Sequence, residues 1–307
     1  MRGTECRVQS KFPHPPFGKG GRRGDFYLGI IMIGAFVLCF TVWGRADSAE
    51  PPQRIVSLAP STTEILFALG LGDRIVGVTS FCDYPEEAKS KPKIGGMSNP
   101  SIEAVITMKP DLVVMTTDGN PKEFEARLRS LKIRTYVFTA RRLAELPQGI
   151  RDMGVLVGAP KKSDRLAQEI QDGIDHYKYR IAASQKGHSA EHKKVLFIIW
   201  PEPLIVAGPG TVMDDAIGLL GYENIAVSAK TSYPKYSIEE VIRRSPDVIF
   251  VGKASGMDMR DVSRKILNRL ASVPAVGNGS VFYISDSLYR LGPRVIKGIE
   301  ELIACER

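Results

Sequence analysis

The sequence predicts an α/β protein of two three-layer αβα lobes with mainly parallel sheets, joined by one long α-helix. Three observations carry that expectation. Short apolar runs alternate with helical patterns along most of the chain, which is the signature of a parallel sheet covered on both faces. One uninterrupted amphipathic helix divides that alternation into two halves. A helix–turn–strand segment then occurs twice, once in each half.

The first lobe is expected over residues 50–142. Arg54-Ile55-Val56-Ser57-Leu58 reads as a strand. Ser61 stands three residues before Glu64, the spacing of a capping box, and opens a helix with Ile65, Leu66, Ala68 and Leu69 on its apolar face. Gly70 and Gly72 stop it. Arg74–Val78 is the next strand, Ile102–Met108 a short helix and Asp111–Met115 a strand. Asn120-Pro121 suits the cap and first residue of a helix over Lys122–Ser130. Thr135–Phe138 is a further strand.

Linking elements are expected over residues 143–194. Leu143–Val157 is helical and Gly158-Ala159-Pro160 ends it. From Lys161 to about Ser184, Leu166, Ile170, Ile174, Tyr177 and Ile181 form one narrow stripe on an otherwise charged helix, which therefore lies on a surface. Gln185–Lys194 is a polar loop. The second lobe, residues 195–307, repeats the pattern. Strands are expected at Val195–Ile199, Asp247–Val251 and Val281–Ile284. Helices are expected at Met213–Leu220, Ile238–Arg243, Val262–Leu270 and from Pro293 onward.

The duplicated segment is Ser101–Val114 and Ser237–Phe250. Seven of fourteen positions are identical, and every matched pair is separated by the same number of residues. In each copy a serine caps a short helix, a Pro-Asp turn follows, and a buried strand begins. The plainer reading is a generic module used twice. Glu103 and Glu239 each fall in the first helical turn, where a carboxylate complements the positive end of the dipole.

Residues 1–49 are read as a leader. Arg22 and Arg23 precede an apolar run from Phe26 to Trp43, and small residues follow at Gly44, Ala46, Ser48 and Ala49. That order is a secretory signal, with cleavage expected near Ala46 or Ala49; an uncleaved anchor is the alternative. Leu38 before Cys39 argues against a lipoprotein. The chain's net charge is +8, and the leader holds seven Lys/Arg against three acids. Half of the basic excess therefore leaves with it, and no nucleic-acid partner is expected. Cys82 and Cys305 are expected as thiols.

From Arg54 to the C-terminus the chain resembles the family of periplasmic binding proteins for cobalamin, ferric siderophores and haem, with the cobalamin binders as the nearest likeness. The resemblance is carried by Arg54–Glu64, Asp83-Tyr84-Pro85, both copies of the repeat, Gly221–Ile225, Ser285-Asp286, Arg290 and Pro293-Arg294. It implies two lobes joined by the long helix. It also implies that Glu103 and Glu239 dock onto arginines of an ABC importer permease, with Glu240 able to substitute for its neighbour. Phe81 and Tyr233 match aromatic ligand contacts, and Asp286 and Arg290 match polar ones. One departure stands out: Gly95-Gly96-Met97-Ser98 lacks a tryptophan that the cobalamin binders carry there.

The residues themselves place a cleft between the lobes, at the loops that follow the strands. Ala59, Phe81, Tyr84, Trp200, Tyr233, Asp286 and Arg290 are the candidate ligand contacts, and Tyr289 joins the aromatics suited to a large flat ligand. No histidine falls on those loops; His176 lies on the long helix, and His188 and His192 in the polar loop. A three-histidine metal site and a Ser–His–Asp triad are thus disfavoured, and no cofactor is expected. The reading is an exported substrate-binding component of an ABC importer, carrying a corrinoid to the membrane permease. Ferric siderophore or haem is the alternative cargo. A cleft enzyme using Ser57, Asp83, Asp118 or Asp286, or a ligand sensor on the same fold, is the alternative of another class.

Overall fold

A computed structural model describes residues 50–185, 193–253 and 258–305, and residues 50–307 form one compact unit. The expected leader, with Cys39, and the loop histidines His188 and His192 lie outside the described residues.

The first sheet holds β1 (Ile55–Ser57), β2 (Ile75–Val78), β3 (Leu112–Thr116) and β4 (Thr135–Phe138), all parallel, in the order β2-β1-β3-β4. The second holds β5 (Lys194–Trp200), β6 (Ile205–Val206), β7 (Glu223–Asn224), β8 (Val248–Gly252) and β9 (Val281–Ile284). Its main path is β6-β5-β8-β9; β7 also pairs with β5, and only β6 runs antiparallel. Twelve helices are described. In the first half they are α1 (Pro60–Ala68), α2 (Glu86–Lys89), α3 (Ile102–Thr107), α4 (Lys122–Ser130), α5 (Leu146–Leu156) and α6 (Pro160–Gln185). In the second they are α7 (Val212–Leu219), α8 (Ile238–Arg244), α9 (Met259–Arg269), α10 (Pro274–Gly277), α11 (Asp286–Tyr289) and α12 (Val295–Ala304).

Strand periodicity divides the core. In β1 and β3, Ile55, Leu112 and Val114 face a central cluster, while Val56, Val113 and Met115, with Leu58 just after β1, face an outer one. In β5, Val195 and Phe197 face that same central cluster, and Leu196 and Ile198 face a second outer one. The central cluster therefore runs from one sheet to the other. The long helix α6 contributes Ala167, Ile170, Ile174 and Tyr177 to it as buried residues, with Leu166 and Ile181 packed at its margin. A Cβ on Gly173 would lie 2.8 Å from Ile296, so α6 and α12 pack closely there. The Tyr177 hydroxyl donates to Glu300 at 2.7 Å across the same contact.

The repeat is a structural equivalence. Ser101 caps α3 by accepting from the Ala104 amide at 3.1 Å, and Ser237 caps α8 by accepting from Glu240 at 3.1 Å. Lys109 and Ser245, each just before the proline, share a left-handed backbone with φ of 46° and 51°. Asp111 accepts from the Arg54 amide at 3.0 Å, and Asp247 from the Lys194 amide at 2.8 Å. Each Pro-Asp turn thus staples the start of the neighbouring strand.

Two local expectations need correction. The helix after β1 is capped by Ala59 with no side-chain bond, and begins at Pro60. Proline's preset φ and missing N–H suit the first helical position, so the helix starts before Ser61 can cap it. Asn120 does not cap α4, whose flanking residue is Pro121; its amide ties loops together instead. The short elements α2, β6, β7, α10 and α11 have too few residues to show a period, and sequence reading did not find them.

Candidate functional site

Residues that follow β1, β2 and β4 meet residues of the second lobe, as the pairs of Glu64 with Arg294, Asp83 with Arg290 and Arg142 with Asp215 show. After β1, Ala59 is 1% exposed. Its carbonyl accepts from the hydroxyls of Thr62 at 3.0 Å and Thr63 at 2.9 Å, a local bonding pattern typical of helix starts. Ala59 is an expected ligand contact; its side chain is buried, and its carbonyl holds the loop through these two bonds.

After β2 the loop is pinned from within. The Cys82 thiol lies 3.2 Å from the Thr63 hydroxyl and 3.1 Å from the Thr79 hydroxyl, and burial pushes its pKa up. With Cys82 turned inward, Phe81 and Tyr84 are left 53% and 48% exposed. A Cβ on Gly96 would clash with the Asn99 side-chain oxygen and lie 3.5 Å from the Phe81 ring, so the glycine makes room for Asn99 beside this aromatic. The stretch that lacks a tryptophan is the one beside Phe81.

Asn120, a residue the sequence reading assigned to a helix cap, is the tie of this wall. Its Nδ2 donates to the carbonyls of Leu58 and Met97, both at 2.9 Å, and its Oδ1 accepts from the Thr116 amide at 2.8 Å. Three loops from different strands meet on one buried amide, which uses almost all of its bonding capacity.

On the second lobe Trp200 is half-buried against the outer cluster and its Nε1 donates to the Glu202 carbonyl at 2.9 Å. Tyr233 is 39% exposed. Its phenol faces Asp118 and Arg141 of the first lobe; burial, and then the Asp118 charge, hold it protonated well above the ordinary tyrosine range. Arg141 is itself paired with Asp118. Tyr289 packs over Gly252 at the end of β8 and, partly buried, lies against the central cluster.

Asp286 and Arg290 were expected as ligand contacts. The structure places both in an ion cluster that closes the seam between lobes. Arg290 is hydrogen-bonded to Asp83, lies 3.0 Å from Asp286 and 3.6 Å from Glu64, and its side chain is 10% exposed. Arg294 donates to Glu64 at 2.8 Å and to Asp286 at 3.0 Å, and stands 4.3 Å over the Tyr84 ring. The Glu64 side chain is 1% exposed. Burial raises its pKa, opposed by the Arg294 hydrogen bond and charge. Glu64 and Arg294 were missed as seam residues. The signal was present: a carboxylate amid Thr63, Ile65 and Leu66 on a buried helix face requires a partner. A further cross-lobe pair joins Arg142 Nε to Asp215 at 3.0 Å.

Glu103 and Glu239 stand exposed at the starts of α3 and α8. Each carboxyl is held below its ordinary range by its own backbone N–H and by the hydroxyl of Ser101 or Ser237. Glu240 is engaged by Arg243 and Arg244, each at 2.9 Å, which leaves Glu239 as the outward acid of the pair. Among the described residues no group of three or more His, Cys, Asp or Glu is arranged to hold a metal ion. His176 lies edge-on to Tyr177 on α6.

The family described as "Periplasmic binding protein" matches residues 55–288. The vitamin B12-binding protein of Pectobacterium atrosepticum is 27% identical over 252 residues, covering 82% of this chain and 87% of that one. An uncharacterized ABC transporter substrate-binding lipoprotein of Bacillus subtilis is 32% identical over 261 residues, covering 82% and 79%. Among solved structures, the periplasmic vitamin B12 binding protein of Vibrio cholerae aligns with a TM-score of 0.71 at 28% identity, over 83% of this chain and 96% of that one. The periplasmic haem-binding protein from Roseiflexus aligns with a TM-score of 0.73 at 29% identity, over 82% and 97%.

Proposed function

The chain belongs to the periplasmic binding protein family, and from that premise we propose that it captures a corrinoid outside the cytoplasm and delivers it to a membrane permease. As a family member it is a substrate-binding component of an ABC importer, of the class that serves vitamin B12, haem and siderophores. Its relatives are binding proteins, and the mechanism is accordingly one of capture and release.

The observation that carries the reading is the set of exposed aromatics where the lobes meet. Phe81, Tyr84 and Tyr233 are 53%, 48% and 39% exposed on loops that are otherwise tied down. Partly exposed aromatic rings on these loops suit a large, partly apolar ligand. The loop of Phe81 and Tyr84 is held by the Cys82 bonds, and that of Tyr233 by backbone bonds from the Gly208 amide to the Ser232 carbonyl and from the Val206 amide to the Pro234 carbonyl, so little ordering entropy is lost on binding. The names of the relatives favour cobalamin. Export by the leader and docking through Glu103 and Glu239 belong to the same proposal: two acids on separate lobes orient the carrier and speed encounter without fixing a permanent complex.

Haem is the second reading, favoured by the alignment with the Roseiflexus protein. Titration of intrinsic fluorescence with cyanocobalamin, cobinamide, hemin and a ferric siderophore tests the assignment. Tight one-to-one quenching by the corrinoids alone is the expected result. Tight binding of hemin alone would overturn the corrinoid reading, and binding of none would count against the carrier role.

A further inference from the structure

The two docking helices share a feature that neither folding nor the ion pairing explains. Ile106 on α3 is 43% exposed and Ile242 on α8 is 42% exposed. They are equivalent positions of the repeat, three residues after Glu103 and Glu239. On a helix that spacing puts acid and isoleucine on one face. The core side of each helix is already occupied: Val105 and Val241 are fully buried, and Ile102 and Ile238 pack against outer clusters. An exposed helix position favours Lys, Glu or Ala over a β-branched side chain. A single exposed isoleucine needs no explanation. The same one, equally exposed beside the same serine-supported acid on both lobes, does.

We propose that Ile106 and Ile242 are paired apolar anchors, seated beside Glu103 and Glu239 in the contact with the importer permease. Each lobe presents one carboxylate held in its charged form and one branched apolar side chain. The matching element is a basic side chain next to a small apolar recess. Because the protein offers this pattern twice, the partner carries it twice, as a permease of two identical halves does. The charges set the rate of encounter, and the isoleucines set residence time by burial once docked. The inference rests on the reading of the chain as an importer component.

The test measures binding of the full-length protein to the detergent-free importer complex of its own organism in nanodiscs, at two salt concentrations. The variants are Ile106→Thr, Ile242→Thr, the pair together, and Glu103→Gln with Glu239→Gln. Each isoleucine change is expected to raise the dissociation rate by a similar factor of about three to ten, with association rate and salt dependence kept. The double change should raise it by roughly the product. Leu at both positions should restore most of the residence time. The glutamine pair should instead slow association and flatten its salt dependence. Wild-type dissociation in the double isoleucine variant, alongside defective glutamine variants, overturns the anchors and leaves the carrier reading standing. An effect at one isoleucine only overturns the pairing. No binding of the unaltered protein overturns the carrier reading itself. Melting temperatures should stay within a degree or two, since both side chains are exposed; if one falls further, Ile→Lys at the same position replaces it and must shorten residence too.

Discussion

Replacing Arg294 by alanine should strongly destabilise the protein, and acid should partly reverse the defect. Arg294 gives the buried Glu64 carboxylate two hydrogen bonds, one of them at 2.8 Å, and the two side chains are 16% and 1% exposed. Removing one partner of such a pair typically costs about 3–5 kcal/mol, because the other charge is left buried. Here Arg290 remains at 3.6 Å from Glu64. At an effective dielectric of about 20 a charge at that range still supplies roughly 4 kcal/mol of attraction. The loss should therefore sit at the low end, about 3 kcal/mol, or on the order of 10 °C in melting temperature for a unit of this size. Glu64→Leu with Arg294→Met should cost less than Arg294→Ala alone, since no charge is stranded. Urea unfolding followed by circular dichroism, arranged as a double-mutant cycle, measures both. The pH dependence follows from the raised pKa of Glu64. A carboxyl whose native pKa exceeds its unfolded value binds its proton more tightly when folded. Stability from this group therefore rises as pH falls through the native pKa toward the ordinary 4.5. Without Arg294 that native pKa climbs further, so the gap to wild type should narrow between pH 7 and pH 5. A loss below about 1 kcal/mol, or a gap that widens in acid, would refute the assignment of Glu64 as a buried charge needing Arg294.

Other outcomes follow from the same geometry. Phe81→Ala should leave stability within about 0.5 kcal/mol while weakening ligand binding several-fold, read by thermal melts beside the fluorescence titration. Asn120→Ala strands the carbonyls of Leu58 and Met97 and the Thr116 amide, and should cost about 2–3 kcal/mol with faster hydrogen exchange in all three loops. Gly298→Ala would place a methyl 2.5 Å from the Leu288 backbone, which cannot rotate away, and should cost about 1–3 kcal/mol in urea unfolding. Docking should persist as pH falls to about the ordinary carboxyl value of 4.5 and fail only below it, because Glu103 and Glu239 both titrate lower than that.

Much of the fold was legible because it is written in local periodicity. Alternation marked seven of the nine strands, the stripe from Leu166 to Ile181 marked the long helix, and the equal spacing of two serine-capped helices marked two equivalent lobes. The site was legible only as far as loops following strands. Phe81, Tyr84 and Tyr233 are exposed rings on such loops. Ala59 is buried, its carbonyl bonded by the hydroxyls of Thr62 and Thr63 at the start of α1.

The sequence by itself determined the class of element, the duplication and the two outward acids, since each depends on neighbours within a turn or two. Tertiary structure alone decided where Asp286 and Arg290 point. Whether an arginine on a cleft loop meets ligand or protein depends on which carboxylates the other lobe brings within reach. Glu64 and Asp83 come from more than two hundred residues away, and no local pattern records that meeting.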